Sequence, residues 1–252
     1  MDISPVFSHC SAVRFWGTDI PDGCTLSTNM PHIVFPEKRR RRRFADVVTH
    51  TWSGEFLLHD MPAEGFSVVK PPMAWAQMAR HCNEESLAVI AGSFACRDTR
   101  RRVATIDELV RYATDTRNFP GRGKCLSIAP FLSDHADSPP ESQVYVLVMR
   151  NKLGKPVVNH RVDFGGGGHA FIDIAYPDIK FGIEYQGSYH AGPEQMRSDA
   201  RRFNRLKLHG WEIVLVTADD LATDVARKAI VQTIRTLMLR QGRMIHLARS
   251  IL

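Results

Sequence analysis

No run of about 18 consecutive apolar residues occurs anywhere in the 252-residue sequence, which argues against a transmembrane helix. The first apolar residues are broken by Ser, His and Arg within a few positions, so no secretory leader is expected. Cysteine is sparse. Cys10, Cys24, Cys82, Cys96 and Cys125 are odd in number, scattered, and never form a CxxC pair. The expectation is neither a zinc site nor a disulfide framework, and a reducing, cytoplasmic setting. Acidic residues fall short of basic ones, 27 against 33, giving a formal charge of +6 and a pI of about 9.2. That mild excess favours an anionic partner, nucleic acid first, and says nothing about fold. What remains is ordinary: 44% hydrophobic and 24% charged residues, on a chain long enough for one large domain or two small ones.

In the N-terminal half, Ser8 is placed to cap a short helix ended by Gly17, and His32–Phe35 reads as a strand. Lys38 to Arg43 is six basic residues in a row, either a phosphate-contacting patch or a solvated loop. Val47–His50 and Phe66–Val69 read as further strands. Pro71-Pro72 opens a helix, Glu84–Ser93 continues helical, and Thr105 with Glu108 forms the capping-box signature of a further helix start. No catalytic constellation stands out in this half. The stretch Gly121–Ser138 reads as polar and loop-like around an apolar island, Ile128–Leu132, and a domain boundary is expected near residue 130.

The second half reads as a helix from Pro139 to about Leu153, a strand Pro156–Val162, and four glycines, Gly165–Gly168. The glycines lack the following Lys-Ser/Thr of a phosphate loop and are read as a hairpin connection. Two strands follow, about His169–Tyr176 and Ile179–Tyr185, turned by Pro177-Asp178. On the second, Phe181, Ile183 and Tyr185 share one face, and Gly182, Glu184 and Gln186 the other. Pro193–His209 is a helix with Met196, Ala200, Phe203 and Leu206 on one stripe and Arg197, Arg201 and Arg205 on another. A strand, Glu212–Thr217, and a last helix, Asp219–Arg240 with Leu221, Val225, Ile230, Ile234 and Leu237 apolar, complete the pattern.

Asp173 and Glu184 are the residues that carry chemistry. Each is flanked by strand-forming apolar residues, so each is on the wet face of a sheet or partly buried and in need of a cation. Carboxylates on adjacent strands can grip a hard, oxygen-seeking magnesium ion, which polarises a phosphate and acidifies a bound water. The competing reading is that both acids pair with arginines of the neighbouring helix.

Residues 139 to 220 resemble the PD-(D/E)XK nuclease superfamily, and more narrowly the uncharacterised bacterial family related to very-short-patch-repair endonucleases. The resemblance rests on Ser138-Pro139-Pro140-Glu141-Ser142, Ile172-Asp173-Ile174-Ala175-Tyr176-Pro177, Ile183-Glu184-Tyr185-Gln186-Gly187 with His190, Asp199 with Arg202, and Gly210-Trp211 to Asp220-Leu221. It implies an α+β, restriction-endonuclease-like mixed sheet flanked by helices, and magnesium- or manganese-dependent cleavage of DNA. It carries over Asp173 and Glu184 as metal ligands and Glu141 as an acid on the first helix. Gln186 and His190 are expected to orient water or phosphate, and Arg197, Arg201, Arg202 and Arg205 to hold the nucleic-acid backbone. Ser138-x-x-Glu141 is also a capping box, which competes for the same acid. Gln186 departs from the superfamily's lysine, and an amide carries no charge. A DNA-binding regulator with an inactive site is therefore the alternative. His9 to Pro21 and the strand-helix pattern to about residue 120 resemble the segment found ahead of this nuclease domain in relatives, which is similar to abortive-infection-type antitoxin regulators; residues 1 to 130 are read as one N-terminal domain, and the usual upstream winged helix is not expected. The expected partners are DNA, a second copy of the chain, and a toxin–antitoxin or defence-system protein, with no membrane.

Overall fold

A computed structural model describes residues 4–36, 45–134, 136–187 and 193–251. The basic run Lys38–Arg43 and His190 lie outside the described residues. The chain is α+β and divides into two compact units, Met1–Gln143 and Val144–Leu252. The division falls inside the helix Pro139–Arg150, later than residue 130, because helical structure also fills the stretch before it.

The first unit is built from β1 (Val6–Phe7), α1 (His9–Phe15), β2 (His32–Phe35), β3 (Val48–Thr51), β4 (Leu58–Met61), β5 (Phe66–Val69), α2 (Pro71–Met78), α3 (Glu84–Phe94), α4 (Ile106–Asp115) and α5 (Arg122–Ile128). Its mixed sheet runs β3-β2-β1-β5-β4, with β1–β5 and β2–β3 parallel. Pro71 opens α2 at the position where a missing N–H costs nothing, and Asn83 caps α3 by accepting from the Ser86 N–H at 2.7 Å. Met73, Trp75, Met78, Leu87, Ile90 and Phe94 on these two helices are fully buried. Trp75 satisfies its indole N–H on the Leu87 carbonyl at 2.9 Å. Thr105 and Glu108 form the reciprocal capping box of α4. Thr105→Ala is accordingly expected to cost about 1 kcal/mol, read as a lowered denaturant midpoint with unchanged slope.

Three short elements escape the sequence pattern. β1 has two residues, and β4 carries His59 and Asp60 between Leu58 and Met61, without an apolar–polar alternation. α5 starts at Gly121, whose φ of 91° and closeness to the Arg80 backbone (2.7 Å from the place of a Cβ) admit only glycine. The larger correction concerns cysteine: Cys24 and Cys82 form a disulfide. Their loops lie against each other, with Thr25 N–H on the His81 carbonyl at 2.8 Å and Asn83 N–H on the Gly23 carbonyl at 3.0 Å. Spacing in sequence carries no sign of that approach. Cys10, Cys96 and Cys125 are free and buried.

The second unit follows α6 (Pro139–Arg150), which spans the division, with β6 (Val157–Gly165), β7 (Gly168–Tyr176), β8 (Phe181–Tyr185), α7 (Pro193–Leu208), β9 (Glu212–Val216), α8 (Ala218–Ala222) and α9 (Asp224–Ile251). The sheet order is β6-β7-β8-β9, antiparallel except for the parallel pair β8–β9. Gly165, Gly166 and Gly167 take positive φ in the β6–β7 hairpin. The expected last helix is two, because Thr223 is extended and its hydroxyl accepts from the Ala226 N–H at 3.1 Å, starting a new helix.

Both faces of this sheet are covered. Val144, Tyr145 and Val148 of α6 and Ile230, Val231 and Ile234 of α9 pack on Ile174, Phe181, Ile183, Val214 and Val216. Leu206 and Phe203 of α7 pack with Val162, Ala170, Ile172 and Trp211. Gly182 lies so close to Ile172 and Ile213 that a Cβ would meet them at 2.7 and 2.6 Å. β8 is thus buried on both faces, and Glu184 goes inside with it, so of the two expectations for this acid the buried one holds. Three residues expected on apolar stripes are instead exposed: Met196 and Ala200 in the first half of α7, and Val225, in the first turn of α9. None is among the residues packed on either face.

Candidate functional site

The pairing of β7 with β8 runs Tyr176↔Phe181, Ala175↔Gly182 and Ile174↔Ile183, and there it stops. β8 continues alongside β9 to Tyr185↔Val216. The next residues at the parting are Asp173 and Glu184. Asp173 Oδ2 accepts the Tyr185 backbone N–H at 3.0 Å, so a side chain replaces the carbonyl that a continued ladder would have supplied. Across from Asp173 on β6, between the pairs Val158↔Ile174 and His160↔Ile172, Asn159 takes a left-handed φ of 51°. Both neighbours of Asp173's strand depart from regular pairing at the acid.

Glu184 is 4% exposed, and its charge is met by α7. Arg202 Nη1 donates to Oε1 at 2.7 Å and Nη2 to Oε2 at 2.6 Å, a two-pronged fork. Arg202 also donates to the Phe171 carbonyl at 3.3 Å and lies 3.9 Å from Asp199. Burial pushes the Glu184 carboxyl above the usual carboxylate range, Arg202 opposes that shift, and Asp199 adds to it. The result is one guanidinium between Glu184 and Asp199, with the charge of Asp173 near enough to act on it.

The nine site residues expected from sequence divide as follows. Asp173 and Glu184 stand on adjacent strands just past the last β7–β8 pair, Asp173 on the Tyr185 N–H and Glu184 on Arg202. Arg202, expected on the nucleic-acid backbone, is instead turned onto Glu184, because a buried carboxylate requires a cation and Arg202 is the one supplied. Arg197, Arg201 and Arg205 are exposed on α7, with the Arg205 guanidinium 4.8 Å over the Phe164 ring. Gln186 donates its backbone N–H to the Val216 carbonyl at 2.8 Å and is exposed. Glu141 is buried in the first unit as a cap: its carboxylate accepts from the Asp137 N–H and the Ser138 hydroxyl, both at 2.8 Å. His190 is not described.

Sequence reading passed over a second group. His9, His50 and His81 in the first unit bring one ring nitrogen each within 4.8 Å of one another. They come from α1, from β3 and from the loop after α2, so no short motif links them. The one local hint is that histidine also appears at His32, on β2 beside β3.

The chain is 28% identical over 123 residues to uncharacterized proteins of two Mycobacterium tuberculosis strains, CDC 1551 / Oshkosh and ATCC 25618 / H37Rv. The match takes in 48% of this chain and 45% of each relative, so the chain spans less than half the length of those relatives. No protein-family model and no solved structure matches it.

Proposed function

We propose that the second unit is a metal-dependent DNA endonuclease of the PD-(D/E)XK type, with Asp173 and Glu184 at its centre. The observation that carries this reading is the placement of two acids on adjacent strands where β7 and β8 part, with the arginine-bearing helix α7 joined to one of them through Arg202. In kind, the donors suit a hard divalent cation: carboxylate oxygens on adjacent strands of a rigid sheet. Magnesium or manganese bound there would polarise a phosphodiester and lower the pKa of a bound water. For Glu184 to serve such an ion, Arg202 must release it, and Asp199 and the Phe171 carbonyl are already within its reach. Arg197, Arg201 and Arg205 hold phosphates on this reading. Gln186 supplies an uncharged amide to orient water, since it has no proton to trade at neutral pH. A cytoplasmic setting belongs with this function, and the Cys24–Cys82 disulfide is the observation against it.

A second reading, a DNA-binding regulator that does not cut, is favoured by the fork of Arg202 on Glu184 and by the missing lysine at Gln186. Nicking of supercoiled plasmid with magnesium or manganese decides between them. Wild type is expected to nick, and Asp173→Asn and Glu184→Gln to fall to background. Wild type that binds the plasmid but nicks no faster than either variant establishes the binder. Wild type that does neither removes both readings.

A further inference from the structure

We propose that His9, His50 and His81 form a binding site for a divalent transition-metal ion of the zinc class, with His32 as the residue that sets the tautomer of His50. All three rings belong to the first unit.

The hydrogen bonds fix which nitrogens face an ion. The Ser27 carbonyl can only accept, so His32 Nε2, 2.7 Å away, donates to it. A neutral His32 then has its lone pair on Nδ1, which lies 2.8 Å from His50 Nε2. His50 Nε2 therefore carries the proton in that bond, and the lone pair of His50 is on Nδ1. His9 Nδ1 is engaged by the Ser8 hydroxyl at 3.0 Å, which leaves Nε2 as the ring nitrogen for a ligand. A chain of carbonyl, imidazole and ligating imidazole is the arrangement by which metal sites orient their histidines.

Two backbone features hold the ligands in place. His9 opens α1 with a φ of 48°, a conformation rare for a residue with a side chain, and its N–H is held by Gln77 Oε1 at 3.1 Å. His81 is next to Cys82, whose disulfide to Cys24 ties down the loop. Core packing alone gives no reason to gather three imidazoles in one place, His9 buried and His50 and His81 half-buried, since each loses hydration there. Three nitrogens with one open position match a zinc-class ion, and an all-imidazole set also accepts cobalt, nickel and copper. The His9 and His50 rings stack at 3.7 Å and 21° without an ion, so one ring must tilt for the lone pairs to converge on Zn–N bonds of about 2.0 Å.

The test uses the tag-free full chain, stripped with chelator, reloaded with zinc and dialysed. One equivalent of zinc retained per chain is expected, and the cobalt form is expected to show ligand-field absorption in the visible. His50→Ala and His81→Ala are expected to lose the equivalent. His32→Gln is expected to keep it with affinity lowered about ten- to a hundredfold. His169→Ala, in the second unit, is expected to bind as wild type. No retained zinc together with no cobalt absorption in wild type overturns the site, and so does retention unchanged in His50→Ala and His81→Ala. If those variants do not fold, the cobalt spectrum of wild type decides alone: absorption supports the site and its absence removes it.

Discussion

Replacing Cys24 by serine is expected to lower the stability of the first unit by about 4 kcal/mol. The disulfide joins residues 58 apart in sequence. In the chain-entropy model, a loop of that length costs the unfolded chain about 4 kcal/mol of freedom at 25 °C. The remaining cysteines are poor substitutes as partners. Burial pushes the Cys10 thiol up to about 11 and the Cys125 thiol up to about 12, so neither forms a thiolate readily at neutral pH. The check is guanidinium unfolding of wild type with and without reductant, alongside Cys24→Ser and Cys82→Ser. The three disrupted forms are expected to share one lowered midpoint. A reduced wild type as stable as the oxidised one would mean that the bond is not formed in solution. If the bond is present, its loss also frees the loop that carries His81, so the reduced chain is expected to hold zinc more weakly than the oxidised one.

The parts of this chain that were legible in the sequence are those where one local signal decides the outcome. The capping box of Thr105 and Glu108, the proline at the start of α2 and the glycine hairpin between β6 and β7 each need only neighbours a few residues away. The acids Asp173 and Glu184 stood out because charge inside an apolar run is costly wherever it lies. What was hidden depends on contacts between distant segments. The Cys24–Cys82 bond follows from two loops laid side by side, and the histidine cluster from β3 pairing with β2 next to α1. The alternation on β8 shows a period of two, and by itself leaves Glu184 either on a wet face or buried against a cation. Alternation separates two faces without saying that the second is dry, and here α7 covers it. The arginine spacing on α7 likewise showed the exposed row Arg197, Arg201, Arg205, while Arg202, one position off that row, is the residue the fold uses.

Arg202→Ala is expected to destabilise the second unit by about 3–5 kcal/mol at pH 8, because it leaves a buried carboxylate without its cation. Glu184 is 4% exposed and both of its oxygens are served by Arg202. Without the guanidinium, burial and the Asp199 charge act on Glu184 unopposed, and its carboxyl rises further above the usual carboxylate range. The sign of the pH dependence follows. An acid whose folded pKa is raised takes up a proton on folding. The proton relieves the buried charge, so the variant gains stability relative to wild type as pH falls through that raised value. The gain is complete below about pH 4.3, where the unfolded chain's glutamate is protonated too. The penalty is therefore expected to be smaller at pH 5 than at pH 8, measured by urea unfolding at both. An equal penalty at the two values would show that Arg202 contributes packing over Phe203, 4.6 Å from its guanidinium, and not charge. Arg202→Lys separates the two contributions further. A lysine restores the charge but not the fork, so it is expected to recover part of the loss, with the remainder due to the second hydrogen bond to Glu184.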